Sequence, residues 1–259
     1  MSEEARLPSP DGRMVPEAFN TREGRRPRVR PMIRAVVFDL DGTLIHFDID
    51  YVALKEEVLR ALGRLGIPTS SLSPDDTLTT ILDKVERYIK VSGLGEDFMR
   101  KVWAEVFRVA EDFEAASLDK AKPMPGAAEV LAALKERGLK IGLLTLNSSV
   151  VAINVLERFG LKRFFDAMVA RDFVREAKPN PNHLSSVLEE LEVKPSETMV
   201  VGDTIFDIRC AKRLGAVAVG ITTGCSSREE LEAAGADFIV SSLSELLPLI
   251  SRLKGDQAG

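Results

Sequence analysis

Val36-Val37-Phe38-Asp39-Leu40-Asp41-Gly42-Thr43-Leu44 is the stretch from which the chain is read. An apolar, β-branched run ending at Phe38 stops at two carboxylates spaced i, i+2, and Gly-Thr follows at once. Such a run, apolar on both faces and followed by a helical pattern, predicts a buried parallel strand. Side chains at i and i+2 leave a strand on the same side, so Asp39 and Asp41 address one centre. Gly42 lets the chain turn sharply beyond the strand's carboxyl end, the end at which open α/β sheets bind ligands. A strand running into an ordinary Asp-Gly turn has the same local sequence, so the rest of the chain decides between them.

The chain has 259 residues, of which 45% are hydrophobic, enough for one sizeable core or a core with a smaller companion. No stretch approaches the ~18 consecutive apolar residues of a membrane span, and no secretory apolar region is present. Cys210 and Cys225 are too few for a disulfide framework, and His46 and His183 too few for a histidine-based metal site. A net charge of −5 argues against nucleic acid as a partner. The expectation is a cytoplasmic globular protein with no membrane partner, monomeric or homodimeric.

Residues 1–31 differ in texture. They hold five prolines and seven arginines against five acidic residues, with almost no apolar periodicity. They read as a disordered extension, or as sequence upstream of a true start at Met32, in preference to a basic arm for an anionic partner. Residues 47–122 read as three helices. Tyr51, Leu54, Val58, Leu62 and Leu65 recur at helical spacing in the first. Ser73, Pro74 and Asp76 look like the N-cap, N1 and capping-box positions of the second. The third, over 96–116, carries Phe98, Trp103, Phe107 and Phe113, a set expected to be core rather than pocket lining. From 123 onward strand and helix alternate, with strands predicted at 140–145, 167–170, 198–202, 216–220 and 237–240. This alternation implies a Rossmann-like, doubly wound parallel sheet covered by helices on both faces. Residues 32–46 and 123–259 then form the α/β core, and 47–122 an α-helical cap domain inserted beside the carboxyl end of the first strand.

Other polar groups fall at or beyond the predicted strand ends. Thr145 closes Ile141-Gly142-Leu143-Leu144, with Asn147 close behind. Lys178 lies in Ala177-Lys178-Pro179-Asn180-Pro181, and Asp203 and Asp207 in Gly202-Asp203-Thr204-Ile205-Phe206-Asp207. Parallel strands share one carboxyl edge, so these groups converge on Asp39 and Asp41. Four carboxylates in one cleft repel strongly without a cation, and hard oxygen ligands select Mg²⁺.

In this order the motifs D-x-D-G-T-L, a Thr after an apolar strand, a Lys before a helix, and G-D-x-x-x-D resemble the haloacid dehalogenase-like superfamily. The resemblance covers about residues 32–253, and the inserted helices are similar to its helical-cap, phosphoglycolate phosphatase-like subgroup. One variation is Thr145-Leu146-Asn147, where many relatives place Asn directly after the Thr. The resemblance implies a phosphatase acting on a small phosphorylated metabolite, a phosphoglycolate-, sugar- or nucleotide-phosphate-like monoester, with Asp39 as nucleophile forming an aspartyl-phosphate and Asp41 as general acid and base. It further implies Mg²⁺ on the Asp39 carboxylate, the Asp41 backbone carbonyl, Asp203 and Asp207. Thr145 and Lys178 would hold the phosphoryl oxygens, with Gly42, Thr43 and Asn147 near the substrate and His46 at the entrance to the cap.

The nearest alternative is an intramolecular phosphotransferase like β-phosphoglucomutase, whose core residues are the same. Dehalogenation would leave Asp41, Asp203 and Asp207 without a task. A P-type ATPase needs membrane spans, and a silent binding protein would be expected to have lost one of the core residues. His183 is expected at the surface or in packing, and the two cysteines as ordinary buried or loop residues.

Overall fold

A computed structural model describes residues 32–73, 76, 78–174 and 176–254. The readings made of residues 1–31 and of Pro74 lie outside the described residues.

The chain opens with β1 (Ala35–Phe38) and a two-residue strand β2 (Ile45–His46), then runs through helices α1 (Tyr51–Arg64), α2 (Leu78–Val91) and α3 (Gly95–Ser117). It returns through β3 (Lys122–Pro123), which pairs antiparallel with β2. Alternation follows: α4 (Ala127–Glu136), β4 (Lys140–Leu144), α5 (Ser149–Arg158), β5 (Ala167–Val169), α6 (Pro181–Glu190), β6 (Thr198–Gly202) and α7 (Ile205–Leu214). Then come β7 (Val217–Ile221), α8 (Arg228–Ala233), β8 (Phe238–Val240) and α9 (Leu246–Lys254). Six strands form one parallel sheet in the order β5-β4-β1-β6-β7-β8, with β1 between β4 and β6.

The alternation of side chains along each strand separates two apolar layers. Val36 and Phe38 join Ile141, Leu143, Met199 and Val201 on the face covered by α4, α5 and α9. Ala35 and Val37 join Val200 and Ala218 on the face covered by α6, α7 and α8. Both layers are fully buried at β1, which is why its sequence is apolar at every position. Phe38 alone, with no exposed surface, contributes about 1.5–3 kcal/mol of burial.

The inserted helices carry their own core, in which Leu54, Val58, Leu62, Ile81, Val85, Val102 and Val106 pack together. Ile205 and Phe206, from the first turn of α7, join that cluster and so tie the insertion to the sheet domain. Arg209 of α7 also pairs with Asp83 of α2, and Thr80 donates to Glu230 of α8 at 2.7 Å. Among the described residues no helix is long and apolar enough to cross a membrane.

One local expectation needs correction. Helix α2 begins at Leu78, not at Ser73: Asp76 accepts from the Ser73 backbone N–H at 3.3 Å, and its carboxylate pairs with Lys84 at 2.5 Å. The polar cluster therefore makes a turn ahead of the helix. The β2–β3 ribbon was not predicted, because two residues per strand carry no periodicity.

Candidate active site

The carboxyl ends of β1, β4 and β6 lie side by side, since Phe38 is in register with both Leu143 and Val201. Asp39, Thr145 and Asp203 are the residues that follow these strands or come directly after them, and so share one edge. Beyond Asp39 the chain winds into a tight turn in which the Leu40 carbonyl accepts from the N–H groups of Leu44 (2.8 Å) and Ile45 (2.9 Å). Gly42 makes the turn at φ +73°, and a Cβ there would stand 2.6 Å from Asp203 Oδ2. Glycine is required for both reasons. Gly202 meets a second such demand: its Cβ would lie 2.2 Å from Asp207 Cγ.

Asp207 is brought in by the start of α7, where Thr204 is the N-cap in a reciprocal capping box with it. Its Oδ2 accepts from Thr204 Oγ1 at 2.6 Å, leaving Oδ1 to face Lys178. Lys178 lies just ahead of α6, whose N-cap is Asn180 and whose N1 is proline, as the sequence predicts. The Lys178 N–H donates to His183 Nδ1 at 3.1 Å, so the imidazole proton is on Nε2 and is donated to the Val169 carbonyl, also at 3.1 Å. Burial and Lys178 push the His183 ring down to about 3, keeping it neutral for this bridge. His183 is therefore fully buried packing that fixes the lysine loop, not a surface residue.

The Lys178 ammonium donates to Asp39 Oδ1 at 2.8 Å and to Asp207 Oδ1 at 2.6 Å, and all three side chains are buried. Burial would lower the lysine, but Asp207 and Asp39 more than reverse this and hold it above its ordinary range. Burial pushes the Asp39 carboxyl up to about 6 against the pull of Lys178. Burial also pushes Asp41 up to about 7, although the Tyr51 hydroxyl donates to its Oδ2 at 2.8 Å and opposes the rise. Asp203 is raised well above the carboxylate range by burial and by Asp39 and Asp207. Its Oδ2 accepts from the Cys225 N–H at 2.7 Å.

Asp39, Asp203 and Asp207 each offer an oxygen, all within 4.8 Å of one another. With Asp41 beside them, four carboxylates meet a single ammonium in this cluster. The donors are hard oxygens and the charge is strongly unbalanced, a combination that fits a small divalent cation such as Mg²⁺.

Thr43 is fully buried, with its hydroxyl 3.4 Å from Asp203 Oδ1. Thr145 is fully buried and turned onto Asn147: its hydroxyl donates to Asn147 Oδ1 at 2.8 Å and accepts from the Asn147 N–H at 3.0 Å. Asn147 lines the cavity above the carboxylates. His46 is exposed in the β2–β3 ribbon opposite Lys122 and does not line that cavity.

This cavity has a volume of about 120 Å³. Its floor includes Asp39, Asp41, Lys178 and Asp203, and its roof comes from the inserted helices, with Tyr51, Trp103, Phe107 and Glu114 among the lining. Trp103 and Phe107 thus line the site as well as packing on each other at 5.2 Å, which corrects their expected role as core alone. Helical spacing puts the stripe on one face of α3 but does not say what that face meets. Glu114, from α3, is buried and pairs with Arg171, whose Nη1 lies 2.8 and 3.1 Å from its two oxygens. Arg171 also donates to the Leu146 carbonyl at 2.5 Å, and its guanidinium lies over the Phe107 ring at 5.3 Å. Neither Glu114 nor Arg171, nor the contact of Tyr51 with Asp41, carries a local signal in the sequence.

Over residues 33–215 the chain matches the haloacid dehalogenase-like hydrolase family. It is 31% identical over 224 residues to a phosphoglycolate phosphatase from Vibrio parahaemolyticus, an alignment covering 85% of this chain and 96% of that protein. It is 30% identical over 238 residues to the pyrophosphatase PpaX from Bacillus mycoides, covering 86% and 99% respectively. A solved structure of a predicted phosphatase from Clostridium acetobutylicum superposes with a TM-score of 0.61 at 26% identity, covering 85% of this chain and 99% of that one. The matched region contains Asp39, Asp41, Thr145, Lys178, Asp203 and Asp207, and the chain belongs to the haloacid dehalogenase-like hydrolase family as an enzyme of its phosphatase kind.

Proposed function

We propose that the protein is a Mg²⁺-dependent phosphatase that hydrolyses a small phosphate monoester through an aspartyl-phosphate on Asp39. The observation that carries this reading is the buried cluster of Asp39, Asp203 and Asp207, with the Lys178 ammonium on Asp39 and Asp207. Asp39, Asp203, Asp207 and the Asp41 backbone carbonyl would hold the cation, which when bound offsets charge on the phosphoryl oxygens. A carboxylate oxygen of Asp39 attacks phosphorus and the ester oxygen leaves, dividing hydrolysis into two steps. Asp41, whose carboxyl burial pushes up to about 7, gives a proton to the leaving oxygen. It then takes a proton from the water that attacks phosphorus and frees Asp39. Tyr51 fixes one Asp41 oxygen throughout. Lys178, together with the Thr145–Asn147 pair, holds phosphoryl oxygens where charge must be stabilised during transfer.

Residues 47–122 act in this reading as the cap that excludes water, with 32–46 and 123–259 as the catalytic core. A larger groove of about 590 Å³ shares Trp103, Phe107 and Lys178 with the inner cavity and offers a route of entry from solvent. The substrate class is a small, soluble phosphorylated metabolite, as fits a cytoplasmic enzyme.

Phosphate release from a panel of phosphate monoesters tests the reading. Release is expected with Mg²⁺ and is expected to fall to background with chelator, returning when the ion is restored. Silence across the panel from folded, Mg²⁺-loaded protein would overturn hydrolysis and direct the search to intramolecular phosphotransfer.

A further inference from the structure

The inner cavity has two ends of different chemistry. At the floor, the Lys178 ammonium is already engaged by Asp39 and Asp207. Among the described lining residues it is the one cation. The roof is apolar apart from three residues, the Tyr51 hydroxyl, the Trp103 indole and the Glu114 carboxylate, in a wall that includes Ile49, Leu54, Leu82, Val106 and Ala110. Arg171 does not line the cavity. It stands behind Glu114, with Nη1 on both carboxylate oxygens and on the Leu146 carbonyl, in contact with α3 and the loop after β4. Glu114 is itself buried, held by Arg171 on both oxygens and also by the Asn147 side chain and the Ser148 N–H, and the edge of its carboxylate that lines the cavity is an acceptor. An anionic leaving group here would meet a carboxylate in an apolar wall and no free cation. A hydroxyl or ammonium would meet an acceptor.

We propose that Glu114 selects the leaving group, and that the substrate is the phosphate ester of a small alcohol carrying a hydroxyl or amine donor, not a carboxylate or a second phosphate. The proposal rests on the phosphatase reading above and separates this chain from the phosphoglycolate and pyrophosphate named for its relatives.

The test compares kcat/KM for 2-hydroxyethyl phosphate, O-phosphoethanolamine and 2-phosphoglycolate, three esters of nearly equal size, on the Mg²⁺-loaded full chain, with p-nitrophenyl phosphate as a general ester. The better of the two donor-bearing esters is expected to exceed phosphoglycolate by about tenfold or more. In Glu114→Gln, which leaves Arg171 with only the more exposed Glu111 carboxylate, 3.8 Å from its Nη2, the ratio is expected to move toward phosphoglycolate by about tenfold. The ratio within one variant is independent of how much enzyme is folded. Phosphoglycolate turned over as well as both donor-bearing esters by the wild type, or no turnover of either, overturns the proposal while p-nitrophenyl phosphate hydrolysis leaves the phosphatase reading standing. Loss of Asp39-dependent release from every ester, p-nitrophenyl phosphate included, overturns both. An unchanged ratio in folded Glu114→Gln removes the assignment to Glu114.

Discussion

Asp39→Asn is expected to lower phosphate release by about 10⁴-fold or more while the protein keeps its fold. The amide has nearly the same shape as the carboxyl and can still accept from Lys178 through its Oδ1, so the packing around β1 is undisturbed. It is far less nucleophilic, and no other described carboxylate has the same position at the end of the central strand. The Asp203 Oδ2 oxygen is turned onto the Cys225 N–H, and the Asp207 Oδ2 oxygen is used by its own capping box. Circular dichroism and the denaturation midpoint separate lost chemistry from lost structure. Residual release within tenfold of the wild type would mean that Asp39 is not the attacking group.

Lys178→Met is expected to be costly in two ways. The methionine nearly matches the aliphatic stem but removes the single ammonium shared by Asp39 and Asp207 at 2.8 and 2.6 Å. Breaking a buried ion pair from one side typically costs about 3–5 kcal/mol, because the abandoned charges stay buried. In metal-free protein this loss should appear directly in chemical denaturation at neutral pH. Activity should fall by about 10²–10³-fold, since a preorganised donor to the phosphoryl oxygens has gone. A Lys178→Met protein of wild-type stability and activity would show the ammonium to be incidental to the site.

The parts of the molecule that local pattern governs are legible in the sequence. The four-residue strand before Asp39 has apolar side chains on both faces because two separate layers cover it, and that is visible in the residues themselves. The convergence of Asp39, Asp203, Asp207 and Lys178 follows from a parallel sheet once its strands are recognised, as their carboxyl ends must share an edge. Asn180 and Pro181 likewise start a helix for reasons contained in adjacent residues.

Contacts between distant segments were not legible. Glu114 and Arg171 stand 57 positions apart and meet because α3 lies against the loop following β5. Nothing near either residue specifies the other. Tyr51 belongs to the apolar stripe of α1 by spacing, yet its position at the first turn puts the hydroxyl on Asp41. Thr145 stands where the motif puts it, but its hydroxyl is shared with Asn147, a pairing made by the one-residue spacing of Thr145-Leu146-Asn147. His183 had a usable signal: a lone histidine in the first turn of a helix, five residues after the site lysine, is within reach of that lysine's backbone.

The central claim is that the phosphoryl group passes through Asp39. The most direct measurement uses Asp41→Asn with p-nitrophenyl phosphate and Mg²⁺, quenched in acid after a few seconds and examined by peptide mass spectrometry. This leaving group departs without a proton, whereas hydrolysis of the aspartyl-phosphate needs the base that the variant lacks. The expected result is a burst of p-nitrophenolate of about one equivalent, with phosphate retained on the peptide containing Asp39. Phosphate released in step with p-nitrophenolate, and no modified peptide at any time, would contradict the account.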